Sequence, residues 1–221
     1  MPETPSANTA TLHYVFDPLC GWCYAAAPLL QAASTLPDLA IALHGGGMLA
    51  GSNRRPVTLQ WREHVLPHDQ RIAALSGQPF SDAYFDGLLR DTGAMLDSEP
   101  PTTAILAAQA LAGRGLQMLQ RQQRAHYVEG RRIADAQVLQ ALAADIGLDP
   151  QAFAVQSAAL GGAATQAHVA DSRRWLARAG GHGFPTLALA RGEQLQLQLL
   201  DAGAWLGRPE AWRAELARLI A

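Results

Sequence analysis

The chain has 221 residues, room for one large domain or two small ones with a core that needs no disulfide staples. Hydrophobic residues make up 49% and charged residues 16%, which excludes a disordered or fibrous chain. The net charge of −2, from 17 basic and 19 acidic side chains, excludes an electrostatic footprint for nucleic acid or anionic membrane.

Every basic residue is Arg, and the absence of Lys excludes Schiff-base and phosphate-loop lysine chemistry. The first residues hold no basic n-region and no apolar h-region, so no secretory signal is expected. No run of 18 apolar residues offers a membrane helix. The expectation is a soluble, cytoplasmic protein with neither nucleic acid nor membrane as partner. Residues 1–10, with Pro2, Pro5, Ser6 and Asn8, read as a loose tail.

Leu12–Phe16 is a short β-branched and aromatic run that Asp17-Pro18 ends, so it reads as a strand. From Cys20 to about Leu36 the chain reads as an Ala- and Leu-rich helix, kinked by Pro28. Leu39–His44 reads as a second strand, followed by Gly45-Gly46-Gly47 as a flexible connection. From Val57 to Gly180 helix formers dominate. One helix ends near Ser76-Gly77, and another covers Ser81 to Arg90. A third follows Glu99-Pro100-Pro101 with Thr102 or Thr103 as cap. A fourth is capped by Asp135, a fifth starts at Asp149-Pro150, and a last covers Gln166 to Ala179. Thr186–Ala190 and Gln194–Leu199 flank Gly192 and read as an antiparallel hairpin. Arg208-Pro209 to Ile220 reads as a closing amphipathic helix.

The two cysteines, Cys20 and Cys23, fall where a strand hands over to a helix. Free N–H groups and the positive end of the helix dipole face the first of them and favour its thiolate. Cys20 is therefore expected to be the exposed attacker of a disulfide, and Cys23, one turn in, the more buried resolving thiol. Gly21 would let a partner chain approach, and Trp22 would offer an apolar contact beside the sulfur. Two other readings of the pair stand beside this one: half of a zinc site completed by His13 and His44, or two incidental buried cysteines. The pairs Arg54-Arg55, Arg131-Arg132 and Arg173-Arg174 read as solvated faces. Trp61, Tyr84, Phe85, Tyr127 and Trp175 read as core, and His64, His68, His126 and His168 lack metal spacing.

The strand, the Cys20-Gly21-Trp22-Cys23 helix start and the later Gly183-Phe184-Pro185-Thr186 before a strand resemble the thioredoxin superfamily. With its long helical block the chain resembles the DsbA-like branch. Phe16 to Tyr24 is similar to cytoplasmic members of that branch. The resemblance implies an α/β, thioredoxin-like fold with a large all-helical insertion. Residues 11–50 and 182–221 would form the thioredoxin-like domain, and 51–181 the insertion. It implies a thiol–disulfide oxidoreductase, a protein disulfide oxidoreductase or isomerase, using Cys20 and Cys23 without a cofactor or metal. It also implies a cis-proline at Pro185 facing the sulfurs, with the Phe184 backbone offered to a bound chain. The substrates would be protein or small-molecule thiols and disulfides, glutathione among the candidates. Many relatives carry a buried carboxylate where this chain has Tyr14. Asp17 is the nearest acid, either an aid to proton transfer or a turn residue beside Pro18. The alternative functions are a glutathione-dependent transferase or isomerase of the kappa-class or 2-hydroxychromene-2-carboxylate isomerase type, and a zinc-held binding module.

Overall fold

The computed structural model describes residues 10–191 and 196–221. Residues 1–9 of the expected tail and the turn residue Gly192 lie outside the described residues; Ala10 already belongs to the first strand. Strand β1 (Ala10–Phe16) leads through the Asp17 turn to helix α1 (Gly21–Ala25) and helix α2 (Ala27–Ala33). The break between these helices follows from Pro28, which has no N–H to offer the Tyr24 carbonyl. That carbonyl accepts instead from the Gln78 side-chain amide at 3.0 Å.

Strand β2 (Leu39–Gly45) runs parallel to β1. After it come the two-residue strand β3 (Arg55–Pro56), helix α3 (Leu59–Ser76), the two-residue strand β4 (Met95–Leu96) and helix α4 (Glu99–Ala112). Helices α5 (Gly115–Tyr127), α6 (Ala136–Asp145), α7 (Pro150–Leu160) and α8 (Ala163–Arg178) complete the block. The chain then returns as β5 (Thr186–Arg191), β6 (Gln196–Leu200) and α9 (Pro209–Ile220). The main sheet has the order β2-β1-β5-β6, with β5 antiparallel to both its neighbours. Its inner strand β1 is supplied by one end of the chain and β5 by the other.

Alternation along β1 sends Leu12, Tyr14 and Phe16 to one face of the sheet and His13 and Val15 to the other. The first face joins the core that α2 and α9 close, with Leu29, Leu30, Trp212 and Leu216 fully buried. On the opposite face α8 packs against β2, and Trp175 stacks on His13 and His44.

Three expectations about the block need correction. It is not all helical: β3 and β4 pair antiparallel, a ladder too short to show a two-residue period in sequence. The segment 81–90 forms a π-helical turn at Ala83–Gly87 followed by a 3₁₀ turn at Leu88–Arg90, not an α-helix. Helix α4 starts before its prolines, because Pro100 and Pro101 occupy first-turn positions whose N–H groups have no helical partner anyway. Thr102 and Thr103 therefore lie inside the helix, and their hydroxyls donate to the carbonyls of Ser98 and Glu99.

Candidate active site

Cys20 is the N-cap of α1, in extended conformation, and its carbonyl accepts the first helical bond from the Tyr24 N–H at 3.1 Å. Its thiol lies 3.6 Å from the Phe184 carbonyl oxygen. The Phe184–Pro185 peptide bond is cis. The sequence therefore brings Cys20, Phe184 and Pro185 together although 164 positions separate the first two. Cys20 keeps 6% of its surface exposed and Cys23 none, and both are free thiols. Burial pushes the Cys23 thiol well above its ordinary range, and hydrogen bonding to and charge on Cys20 push it the same way. Cys23 is thus held as the protonated thiol.

Around the pair, Tyr14 donates its hydroxyl to the Cys23 carbonyl at 3.2 Å. Burial, then the charges of the two cysteines, raise the Tyr14 phenol well above its usual value, so it acts only as a donor. Asp17 is fully buried and accepts from the Leu19 N–H at 2.9 Å, from the Ser98 hydroxyl at 2.9 Å and from the Met48 N–H. Its carboxyl is raised by burial, against the lowering effect of those hydrogen bonds. It ties the turn before Cys20 to the loop after β2 and to the start of α4, more than a turn residue beside Pro18 would do.

Gly21 has a different neighbour from the one expected. A Cβ there would stand 2.8 Å from the Ile72 side chain and 2.9 Å from an Asp69 carboxylate oxygen, so Gly21 makes room for α3 of the same chain. Gly46 serves Phe184 in the same way, because a Cβ on Gly46 would lie 2.2 Å from the phenyl ring. The Gly45–Gly47 connection is also tied down: His168 accepts from the Gly45 N–H, and Arg173 donates to the carbonyls of Gly46 and Gly47. Arg173 therefore departs from the solvated face expected for it.

Trp22 separates two cavities. One, of about 490 Å³, runs along Phe184, Pro185 and Leu199 towards Asp201. The other, of about 240 Å³, opens onto Cys20 and is walled by Trp61, Asp69, Tyr84, His126 and Tyr127. Tyr84 and Tyr127 are core residues as expected, but they and Trp61 also line this cavity. A third cavity, of about 460 Å³ among Phe153, Leu139 and Glu99, is lined by neither cysteine and lies away from this chemistry.

Asp69 is not among the site residues expected from the sequence. On α3 the inward stripe runs Trp61, Val65, Asp69, Ile72, Ser76 at helical spacing, and an acid in such a stripe is the signal that marks it. Its carboxylate accepts from the Tyr84 hydroxyl at 2.9 Å. Burial pushes its pKa up to about 6 against the lowering effect of that bond.

The zinc arrangement does not assemble. His13 Nδ1 lies 2.9 Å from His44 Nε2, but this pair stacks on Trp175 across the sheet from Tyr14 and Cys23. Among the described residues no three Cys, His, Asp or Glu side chains converge as metal ligands.

A family profile described as a DSBA-like thioredoxin domain matches residues 11–207. The chain is similar to the cytosolic disulfide reductase DsbM from Pseudomonas aeruginosa, with 55% identity and a TM-score of 0.89 over 95% of this chain and 98% of that one. The same reductase solved with GSH gives 54% identity and a TM-score of 0.88 over 95% and 98% of the two chains. A 2-hydroxychromene-2-carboxylate isomerase gives 18% identity and a TM-score of 0.58 over 95% and 97%, a likeness of fold alone. No curated protein gives a significant match.

Proposed function

The chain belongs to the DsbA-like thioredoxin-domain family and is a thiol–disulfide oxidoreductase; from that premise we propose that it works as a cytosolic disulfide reductase drawing electrons from glutathione. The thiolate of Cys20 attacks a substrate disulfide held between the Phe184 backbone and the Trp22 ring. One substrate sulfur leaves as a thiol and the other stays bonded to Cys20. Cys23 then loses its proton and attacks the Cys20 sulfur, releasing the second substrate thiol and forming the Cys20–Cys23 disulfide. Two glutathione thiols restore the pair, the first forming a mixed disulfide with Cys20 and the second leaving with it as glutathione disulfide.

The observation that carries this reading is the asymmetry of the two sulfurs. Cys20 lines the 240 Å³ cavity and Cys23 does not, so entry and resolution fall to different residues. The likeness to DsbM, solved with GSH, supports both the direction and the donor. Because both thiols are present at the helix start, the geometry favours redox exchange over the transferase or isomerase alternative. The test is turnover of a peptide disulfide with glutathione as sole reductant, read as glutathione disulfide formed. The wild type should turn over, and Cys20→Ser should fall to the uncatalysed rate. Equal rates for the two would overturn the reading.

A further inference from the structure

We propose that Asp69 accepts the proton of a thiol entering the cavity at Cys20, and so supplies the nucleophile for the step that reduces the enzyme. The proposal rests on the reading of the protein as a thiol-driven reductase and adds to it a group from the helical block.

The geometry isolates Asp69 for this task. Its carboxylate is buried, faces Gly21 between the two cysteines, and forms part of the wall of the 240 Å³ cavity that Cys20 shares. One oxygen, Oδ2, is held by the Tyr84 hydroxyl, and the other, Oδ1, would stand 2.9 Å from a Cβ placed on Gly21. No Arg pairs with Asp69 among the described residues; Arg71 lies over the Trp22 ring at 5.9 Å.

The titratable groups around it come from every neighbouring element. Tyr84 stands on the π-helical turn, His126 and Tyr127 on α5, Cys20 at the start of α1, and His64 and His68 on α3 at the cavity rim. Tyr84 and Tyr127 are raised well above their usual range by burial, and so stay protonated. His126 is lowered to about 3 by burial and is neutral. Its Nδ1 is buried without a side-chain partner, in a residue that lines the same cavity. Beside the protonated tyrosines and the neutral His126, Asp69, at about 6, is ionised at neutral pH yet basic enough to take a proton.

Cys23 stands apart from this arrangement. Its charged neighbours are Cys20 and Asp17, so the residue served by Asp69 is the incoming thiol and not the resolving cysteine. In balanced form, the thiol R–SH gives its proton to the Asp69 carboxylate while its sulfur bonds to Cys20. The Cys20–Cys23 bond breaks, its electron pair stays on Cys23, and that thiolate takes a proton from water. Asp69 returns its own proton to water, and R–S–Cys20 remains for the second thiol.

The experiment follows the reduction of oxidised enzyme from pH 5 to 8.5, with glutathione and separately with 2-mercaptoethanol. In the wild type both rates should fall as pH drops through about 6 and flatten above it. In Asp69→Asn the flat region should disappear, so that the rate climbs about tenfold per pH unit with the free thiolate, and at pH 7 it should be about 100-fold slower. Tyr84→Phe keeps the carboxylate and removes the bond that lowers its pKa, so the acid limb should move to higher pH with the upper plateau retained. An unchanged profile in Asp69→Asn, or a Tyr84→Phe profile that does not move, would overturn the proposal. A loss confined to glutathione and to KM would also overturn it, by making Asp69 an anchor for the ammonium group. Wild-type enzyme that reacts with 2-mercaptoethanol and not with glutathione would instead remove glutathione as donor, leaving the Asp69 profile to be read with the smaller thiol.

Discussion

The Cys20 thiol meets the carbonyl of Phe184 at 3.6 Å, so a sulfur from the first strand–helix junction is seated against backbone from the segment before β5. The seat depends on a third residue. Phe184 fits only because Gly46, in the loop after β2, has no side chain. Adding a methyl group at Gly46 is expected to displace the phenyl ring, and with it the Phe184 carbonyl, at a cost of about 1–3 kcal/mol. Gly46→Ala should lower turnover of a peptide disulfide at least tenfold while its far-ultraviolet circular dichroism stays like wild type. Turnover equal to wild type would show that the Phe184 seat is dispensable.

Asp17 makes a separate prediction, because its three hydrogen bonds hold the approach to the site. Asp17→Ala leaves the Leu19 and Met48 N–H groups without their acceptor, at about 1–3 kcal/mol for each buried donor left unmet. Denaturant unfolding should report a loss of that order, and Asp17→Asn, which keeps one acceptor oxygen, should lose less. If Asp17→Asn keeps full stability and loses turnover, the residue transfers protons to Cys23 and the scaffold role assigned here is wrong.

Buried titrating groups set the pH dependence of stability. His44 is lowered to about 4 and His126 to about 3, burial being the main cause for both. Folded protein therefore binds fewer protons than unfolded at these two sites once pH falls below the unfolded value of about 6.5, and their contribution to stability declines with acid. Asp69 works in the opposite sense. Its folded value of about 6 lies above the unfolded one, so its contribution is present at low pH and is lost as pH rises towards 6. Asp69→Asn should accordingly be more stable than wild type at pH 7, by up to about 3 kcal/mol for a shift of about two units. That gain should vanish by about pH 4. Urea unfolding of both proteins at pH 7, 6, 5 and 4 gives the difference; a gain that stays constant with pH would contradict the raised carboxyl.

Much of this site is legible in the sequence because its signals are local. A β-rich run ending at Asp17, cysteines at the next helix start and Pro28 eight residues on each mark one position with its own chemistry. Asp69 and Gly21 are another matter. Their relationship arises only when α3 docks on α1, and nothing within either segment states which face of α3 will turn inward until the stripe through Val65 and Ile72 is read together with its acid. The misread segment 81–90 has the composition of a helix. What decides its path is tertiary: the Ser81 N–H donates to the Tyr127 carbonyl, and Tyr24 and Tyr84 each pack against Tyr127. The two-residue pairing of β3 with β4 has no sequence signal at all, since a period of two needs more than two residues to show itself.

In the proposed cycle Cys20 exchanges with a glutathione sulfur and Cys23 resolves the product. Mass spectrometry of Cys23→Ser, Cys20→Ser and wild type after incubation with glutathione disulfide separates these two roles. Cys23→Ser should carry one glutathionyl group, on Cys20, that persists. Cys20→Ser should carry none, because Cys23 has no exposed surface. Wild type should show the Cys20–Cys23 disulfide with glutathione released. A persistent adduct on Cys23 in Cys20→Ser, or no adduct on Cys20 in Cys23→Ser, would exclude this division of roles.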